Sequence, residues 1–159
     1  MKTEDKTNAM RILDSAGAEY ISHGYNTKTA LSGVEIAKKL GYDESVVFKT
    51  LVTVASSKKH YVFVVPSASE LDLKKAATSV GEKSISMIKQ AELLPLTGYI
   101  HGGCSPVGMK KFFDTVIDAS AASKEKIIFS AGKIGRQVEM SIDELKKAIP
   151  FTLAEITRN

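Results

Sequence analysis

The sequence predicts an α+β domain: a mixed sheet wrapped by short helices. Two observations carry this. Apolar, β-branched runs return on themselves across short polar turns, at 46–55 with 60–65 and at 126–130 with 136–140, so hairpins are present. Capping boxes and glycine stops place helices between those runs, and the hairpins exclude a regular βαβ array. The chain has 159 residues, 43% hydrophobic and 25% charged. That suits a single domain over 1–159 with its own core.

Along the chain, residues 7–16 read as an amphipathic helix with Met10, Ile12 and Leu13 inward and Gly17 as its stop. Residues 20–25 suit a strand. Ser32 and Glu35 form a capping box, in which hydroxyl and carboxylate each satisfy the other residue's free N–H. The helix it opens ends at Gly41, which tolerates a left-handed conformation. The strands 46–55 and 60–65 flank the turn 56–59. A helix over 71–80, a strand over 84–87 and a helix over 89–94 precede a glycine-rich stretch, 97–108. Residues 115–118 and 126–130 are extended, and 132–135 turns into 136–140. A second capping box, Ser141 with Glu144, opens a helix closed by Pro150, and 151–157 is a last strand.

The net charge is +4, from 22 basic and 18 acidic residues, a balance compatible with a polyanionic partner. One cysteine, Cys104, excludes an internal disulfide framework. No run is long and apolar enough for a membrane span, and residues 1–6 carry no leader-like apolar segment, so the expectation is a cytoplasmic protein with no membrane contact.

Three features bear on chemistry. Lys49 interrupts an otherwise apolar strand, Val46-Val47-Phe48-Lys49-Thr50-Leu51-Val52, on the face of Val47 and Leu51. It reads either as an edge lysine whose head reaches water or as a cation at a pocket floor. Second, Gly102-Gly103-Cys104-Ser105-Pro106 is either a tight turn or a loop whose backbone N–H groups approach a ligand, and Lys110 and Lys111 beside it suit phosphate. Third, Cys104 sits three residues after His101, but no group nearby completes a triad. The three histidines lack metal-ligand spacing, and 132–135 is no phosphate loop. No metal or cofactor is expected.

Lys49-Thr50-Leu51, then Gly102-Gly103-Cys104-Ser105-Pro106-Val107-Gly108, then Ser130-Ala131-Gly132-Lys133 occur in that order. Together they resemble the YbaK/EbsC group of bacterial Cys-tRNA(Pro) deacylases, relatives of the prolyl-tRNA synthetase editing domain. The likeness runs from the first helix to the last capping box. It implies a β-barrel-like mixed sheet surrounded by helices, and a trans-editing enzyme that clears cysteine from proline tRNA and can act on Cys-tRNA(Cys). It implies catalytic roles for Lys49 and Gly103. Tyr25, Thr50, Gly102, Ser105, Pro106 and Ser130 would bind the substrate; Lys110, Lys111, Lys133 and Arg136 would bind tRNA. Prolyl-tRNA synthetase is the further partner it suggests. The chain departs from the pattern at Ile134, where the family often has arginine, and near Leu31-Ser32, where an aromatic is often found.

An editing site is intelligible physically. Cysteine and proline are close in size, and one pocket separates such neighbours by only about 1–3 kcal/mol. By resemblance the substrate's own thiol attacks its ester, so Cys104 need not act. The rivals are an Ala-tRNA(Pro) hydrolase, a non-catalytic tRNA- or synthetase-binding module, and a Schiff-base enzyme, for which the chain lacks phosphate-cradle residues.

Overall fold

Side-chain caps set where the helices begin. In the computed structural model, which describes residues 6–158, Thr7 Oγ1 accepts from Met10 N at 3.2 Å and opens α1, Asn8–Ser15. Ser32 and Glu35 complete their reciprocal box at 3.2 and 2.9 Å and open α2, Gly33–Leu40. Asp72 accepts from Lys74 N and Lys75 N, both at 3.0 Å, at the start of α3, Leu73–Val80. The fourth helix, α4, spans Gln90–Thr97 and so outruns the expected 89–94. It continues past Pro95 because Thr97 Oγ1 donates to Leu93 O and Gly98 N to Leu94 O. The last, α5, is Ile142–Leu145. Its capping box is one-sided: Ser141 Oγ accepts from Glu144 N, but the Glu144 carboxylate takes Glu19 N at 2.7 Å instead. The residues of the leader expectation, apart from Lys6, lie outside the described residues.

The strands are β1 Ile21–Gly24, β2 Phe48–Ala55, β3 His60–Pro66, β4 Ile85–Met87, β5 Asp114–Asp118, β6 Ile127–Lys133, β7 Arg136–Met140 and β8 Thr152–Ala154. They form two sheets, where the sequence suggested one barrel-like sheet. The larger has the order β4-β2-β3-β5-β8, antiparallel except for the parallel pairs β3–β5 and β5–β8. The smaller is antiparallel, β1-β7-β6. Residues 53–55 of β2 pair with β4, while its other end meets β6 in one parallel bridge, Val47 to Ile128. The free edge of β2 is thus divided between two partners, and the barrel stays open.

The main core fills the space between the sheets. Phe48, Val52, Val62 and Val64 come from the larger, Phe129, Val138 and Met140 from the smaller, and Met10 and Leu13 from α1. A second cluster packs Phe63 and Val65 against Ala76 and Ala77 of α3. A third joins Val47 and Ile128 to Ile36 and Ala37 of α2. Among the described residues, no helix is long and apolar enough to cross a membrane.

Edge strand β1 and the end of α2 are tied to β7 by one carboxylate. Tyr42 Oη donates to Glu139 Oε1 at 2.7 Å, and His23 Nε2 lies 2.8 Å from the same oxygen. Burial opposes ionisation of Glu139, but these two partners outweigh it and hold the carboxyl below its usual range. A depressed carboxyl contributes stability that is present above its unfolded pKa, about 4.3, and is lost as pH falls through the folded value. Urea unfolding at several pH values should therefore show an acid-side loss of stability in the wild type that is smaller in Glu139→Gln. An equal loss in both proteins would show that the cluster makes no linked contribution.

Candidate active site

The Val47–Ile128 bridge sets the geometry of the site. Side chains alternate along a strand, so two residues further on, Lys49 and Ser130 lie on the face of Val47 and Ile128. Ser130 pairs with Gln137, and Gln137 with His23, so those residues share that face of the smaller sheet. Tyr25 follows β1 and reaches the same place: Gln137 Nε2 donates to Tyr25 Oη at 3.1 Å. Ser130, Gln137 and Tyr25 are thereby brought together from three parts of the chain, and the bridge sets Lys49 on their face.

Lys49 is partly buried and has neither hydrogen bond nor ion pair among the described residues. Both hydroxyls have their oxygens engaged from within the fold. Ser130 Oγ accepts from Gly132 N at 3.0 Å, and Tyr25 Oη accepts from Gln137. Their O–H protons are left to donate outward. Burial pushes the Tyr25 phenol above its usual range, and the Gln137 hydrogen bond partly opposes this, so the group is a neutral donor at pH 7. The arrangement offers one fixed cation and two neutral donors to an oxygen that gains negative charge.

The glycine loop passes between residues 27–31 and the β6–β7 turn. A methyl group on Gly102 would stand 2.3 Å from Ala30 Cβ, and Gly102 has φ +87°. One on Gly103 would stand 3.3 Å from Ile134 N. The Gly103 N–H closes the turn onto Ile100 O at 3.0 Å. It is the amides of Cys104 and Ser105 that meet no acceptor among the described residues. Ser105 is buried and its Oγ accepts from Val107 N, so Ser105 and Pro106 shape the turn from below. Cys104 is 8% exposed, and burial pushes its thiol up to about 12. A thiol so protonated is no nucleophile at neutral pH.

Not every residue expected here converges. Thr50 faces away from Lys49, toward Phe48, Val52 and Val64, and its Oγ1 is buried without a partner. Arg136 lies on the opposite face of β7 from Gln137, where its Nη2 reaches Met10 Sδ and Ser22 Oγ. Lys110, Lys111 and Lys133 are exposed, the first two beyond the loop and the third at the end of β6. Among the described residues, no group of three His, Cys, Asp or Glu side chains could hold a metal.

Gln137 was missed in the sequence. The signal was there: in Arg136-Gln137-Val138-Glu139-Met140, alternation sets Gln137 and Glu139 on one face and Val138 and Met140 on the other. Two polar residues on one face of a strand whose other face is core mark a polar site.

The matching family model is the aminoacyl-tRNA editing domain, over residues 27–148. A protein of Enterococcus faecalis named EbsC, a candidate Cys-tRNA(Pro)/Cys-tRNA(Cys) deacylase, is 41% identical over 98% of this chain and 96% of its own. A proline–tRNA ligase of Shouchella clausii is 31% identical over 64% of this chain, which corresponds to 18% of the ligase. Two crystal structures share the fold. A hypothetical protein, APE2540, has a TM-score of 0.84 at 23% identity, covering 94% of this chain and 98% of that one. A candidate trans-editing enzyme for prolyl-tRNA synthetase has 0.80 at 22%, covering 98% and 100%. With 122 consecutive residues inside the family model and near-complete coverage of EbsC, this chain belongs to the aminoacyl-tRNA editing-domain family.

Proposed function

We propose that this protein is a trans-editing aminoacyl-tRNA deacylase that clears cysteine from mischarged proline tRNA, with Cys-tRNA(Cys) as a second substrate. The observation that carries the reading is Lys49, a cation without a partner among the described residues, in a strand with no other charged residue. The 41% identity to a candidate deacylase of that specificity supports the choice of substrate.

The proposed reaction uses the substrate's sulfur. The thiolate attacks its own ester carbonyl, a C–S bond forms, and negative charge collects on the carbonyl oxygen. The bond to the ribose oxygen then breaks, that oxygen takes a proton, and cysteine leaves as a four-membered thiolactone, which water opens. Lys49 stabilises the thiolate and the developing oxyanion. Tyr25, Ser130 and the free loop amides complete the donors. Holding sulfur near the carbonyl supplies the rest of the rate. Lys110, Lys111 and Lys133 meet tRNA phosphates as exposed cations. Prolyl-tRNA synthetase is the proposed source of mischarged tRNA and a partner in the same complex.

The direct test charges proline tRNA with cysteine, serine, alanine or proline and measures release by the purified protein. Cysteine should be cleared fastest, with thiolactone trapped before it opens. Serine should be slow, because its hydroxyl is un-ionised at pH 7, whereas a thiol of pKa about 8.5 is already a few per cent thiolate. Equal rates for serine and cysteine would give the attack to water. A preference for alanine would make the protein an alanine-clearing hydrolase, and no release from any substrate would make it a binding module.

Lys49→Ala should lower deacylation by about 10²–10³-fold, the usual effect of removing one oxyanion donor. Its folding should be unimpaired, because Lys49 forms no internal bond to lose. Lys49→Arg should also be slow, since a planar fork does not replace a compact ammonium. Full activity in a folded Lys49→Ala protein would remove the lysine from the mechanism.

The two loop glycines should respond differently. Gly102→Ala forces both a left-handed alanine and a collision with Ala30, so it should displace the loop and abolish turnover. Gly103→Ala needs only a few tenths of an ångström from Ile134 and should retain measurable turnover. The reverse order of activities would mean that Gly103 itself faces the ester.

Thr50→Val removes a buried hydroxyl that has no partner while keeping the shape of the side chain. It should stabilise the fold by about 1 kcal/mol, read from the urea midpoint. Turnover should be unchanged, because Thr50 faces away from Lys49. A stabilised but inactive variant would return the hydroxyl to the substrate site.

A further inference from the structure

A cavity of about 350 Å³ opens at the other end of the larger sheet, where Tyr61, Phe112 and Phe151 line it and Lys59 and Asp114 stand in its wall. Thr53, the partner of Tyr61, lies four positions along β2 from Lys49. At about 3.3 Å per residue, the cavity begins about 13 Å along the strand from the lysine. We infer that this cavity binds a nucleotide of the unpaired 3′ end of the tRNA, upstream of the terminal adenosine. This inference rests on the deacylase reading above and adds a second point of attachment to it.

The chain itself makes the connection. It leaves the glycine loop, passes the exposed Lys110 and Lys111, and reaches Phe112, which keeps 46% of its surface exposed at the cavity. An exposed aromatic directly after two lysines suits single-stranded RNA, whose phosphates follow the cations while a base stacks on the ring. Two more cations lie against rings that line the cavity. The Lys146 ammonium lies 5.8 Å from the Phe151 ring, and Lys59 lies 5.2 Å from the Tyr61 ring. With Lys110 and Lys111, they complement a polyanion.

Base preference follows from the one carboxylate. Asp114 Oδ2 takes Lys59 Nζ at 2.9 Å, which leaves Oδ1 to accept a second donor. Cytosine and adenine each carry an exocyclic amino group that can donate to it, and uracil carries none. Every tRNA ends in unpaired C-C-A, so the proposed guest carries the required donor whatever the tRNA.

The test uses the trinucleotide RNA C-C-A and the whole protein, followed through backbone amide resonances. Saturable shifts should appear at Tyr61, Asp114 and Thr152, and U-U-U should bind about tenfold more weakly. Phe112→Ala, a change at an exposed ring, should weaken C-C-A about tenfold and raise KM for Cys-tRNA(Pro) with kcat unchanged. Lys146→Glu should raise KM as well. Shifts confined to the Lys49 side, or an unaltered KM in Phe112→Ala, would overturn the inference while wild-type deacylation still stands. C-C-A binding at the cavity by a protein that deacylates nothing would sink the deacylase reading and keep the RNA site. Shifts at the cavity produced by prolyl-tRNA synthetase and not by RNA would make it a protein-docking surface and overturn the inference.

Discussion

The single parallel bridge between Val47 and Ile128 is the constraint on which the site depends. Both residues are fully buried beneath α2, and they are the point where two separate sheets meet. Strand alternation does the rest. Once Val47 faces α2, Lys49 must face the same way, and Ser130 follows from Ile128. A shift of one residue in this contact would turn Lys49 into the main core and Thr50 out of it, exchanging a useful cation for a buried and unpaired one. Burial of both bridge residues under a helix is what specifies the register.

The basic side chains divide by what surrounds them. Arg136 is held among Met10 and Ser22 behind β7, and Lys59 is paired with Asp114. Lys49 has no such partner among the described residues. A carboxylate beside it would hold the ammonium in place but would also neutralise it and repel a substrate oxyanion. Under the proposed mechanism, leaving the cation without a counter-ion opposes stability and favours function, because its charge stays available to a group that becomes negative only during reaction. The neighbouring hydroxyls follow the same logic: Gln137 and the Gly132 amide occupy the oxygens of Tyr25 and Ser130 and turn their protons outward. On the proposed reading, the site is assembled to donate.

The lone cysteine illustrates how position overrides residue type. A thiol on a glycine turn near a histidine suggests nucleophilic chemistry, yet Cys104 packs into the main core and its pKa is driven up by burial. The proposed chemistry, in which the substrate brings its own sulfur, asks nothing of it. What the loop contributes instead is backbone: Gly102 permits a close approach to Ala30 that any side chain would block, and the amides that follow Gly103 meet no acceptor among the described residues.

Local physics was legible in the sequence. The Ser32–Glu35 box, the Thr7–Ala16 helix limits and the 56–59 hairpin each depend on residues within about four positions of one another, so the chain specifies them before it folds. Lys49 was also legible, because a charge inside an apolar strand contradicts its neighbours. The rest depended on contacts between distant segments. No local pattern tells that Glu144 caps Glu19 and not Ser141. None tells that Tyr25, which follows β1, takes its hydrogen bond from Gln137. Such contacts exist only once distant segments have been brought together, as Val47 and Ile128 are where the two sheets meet.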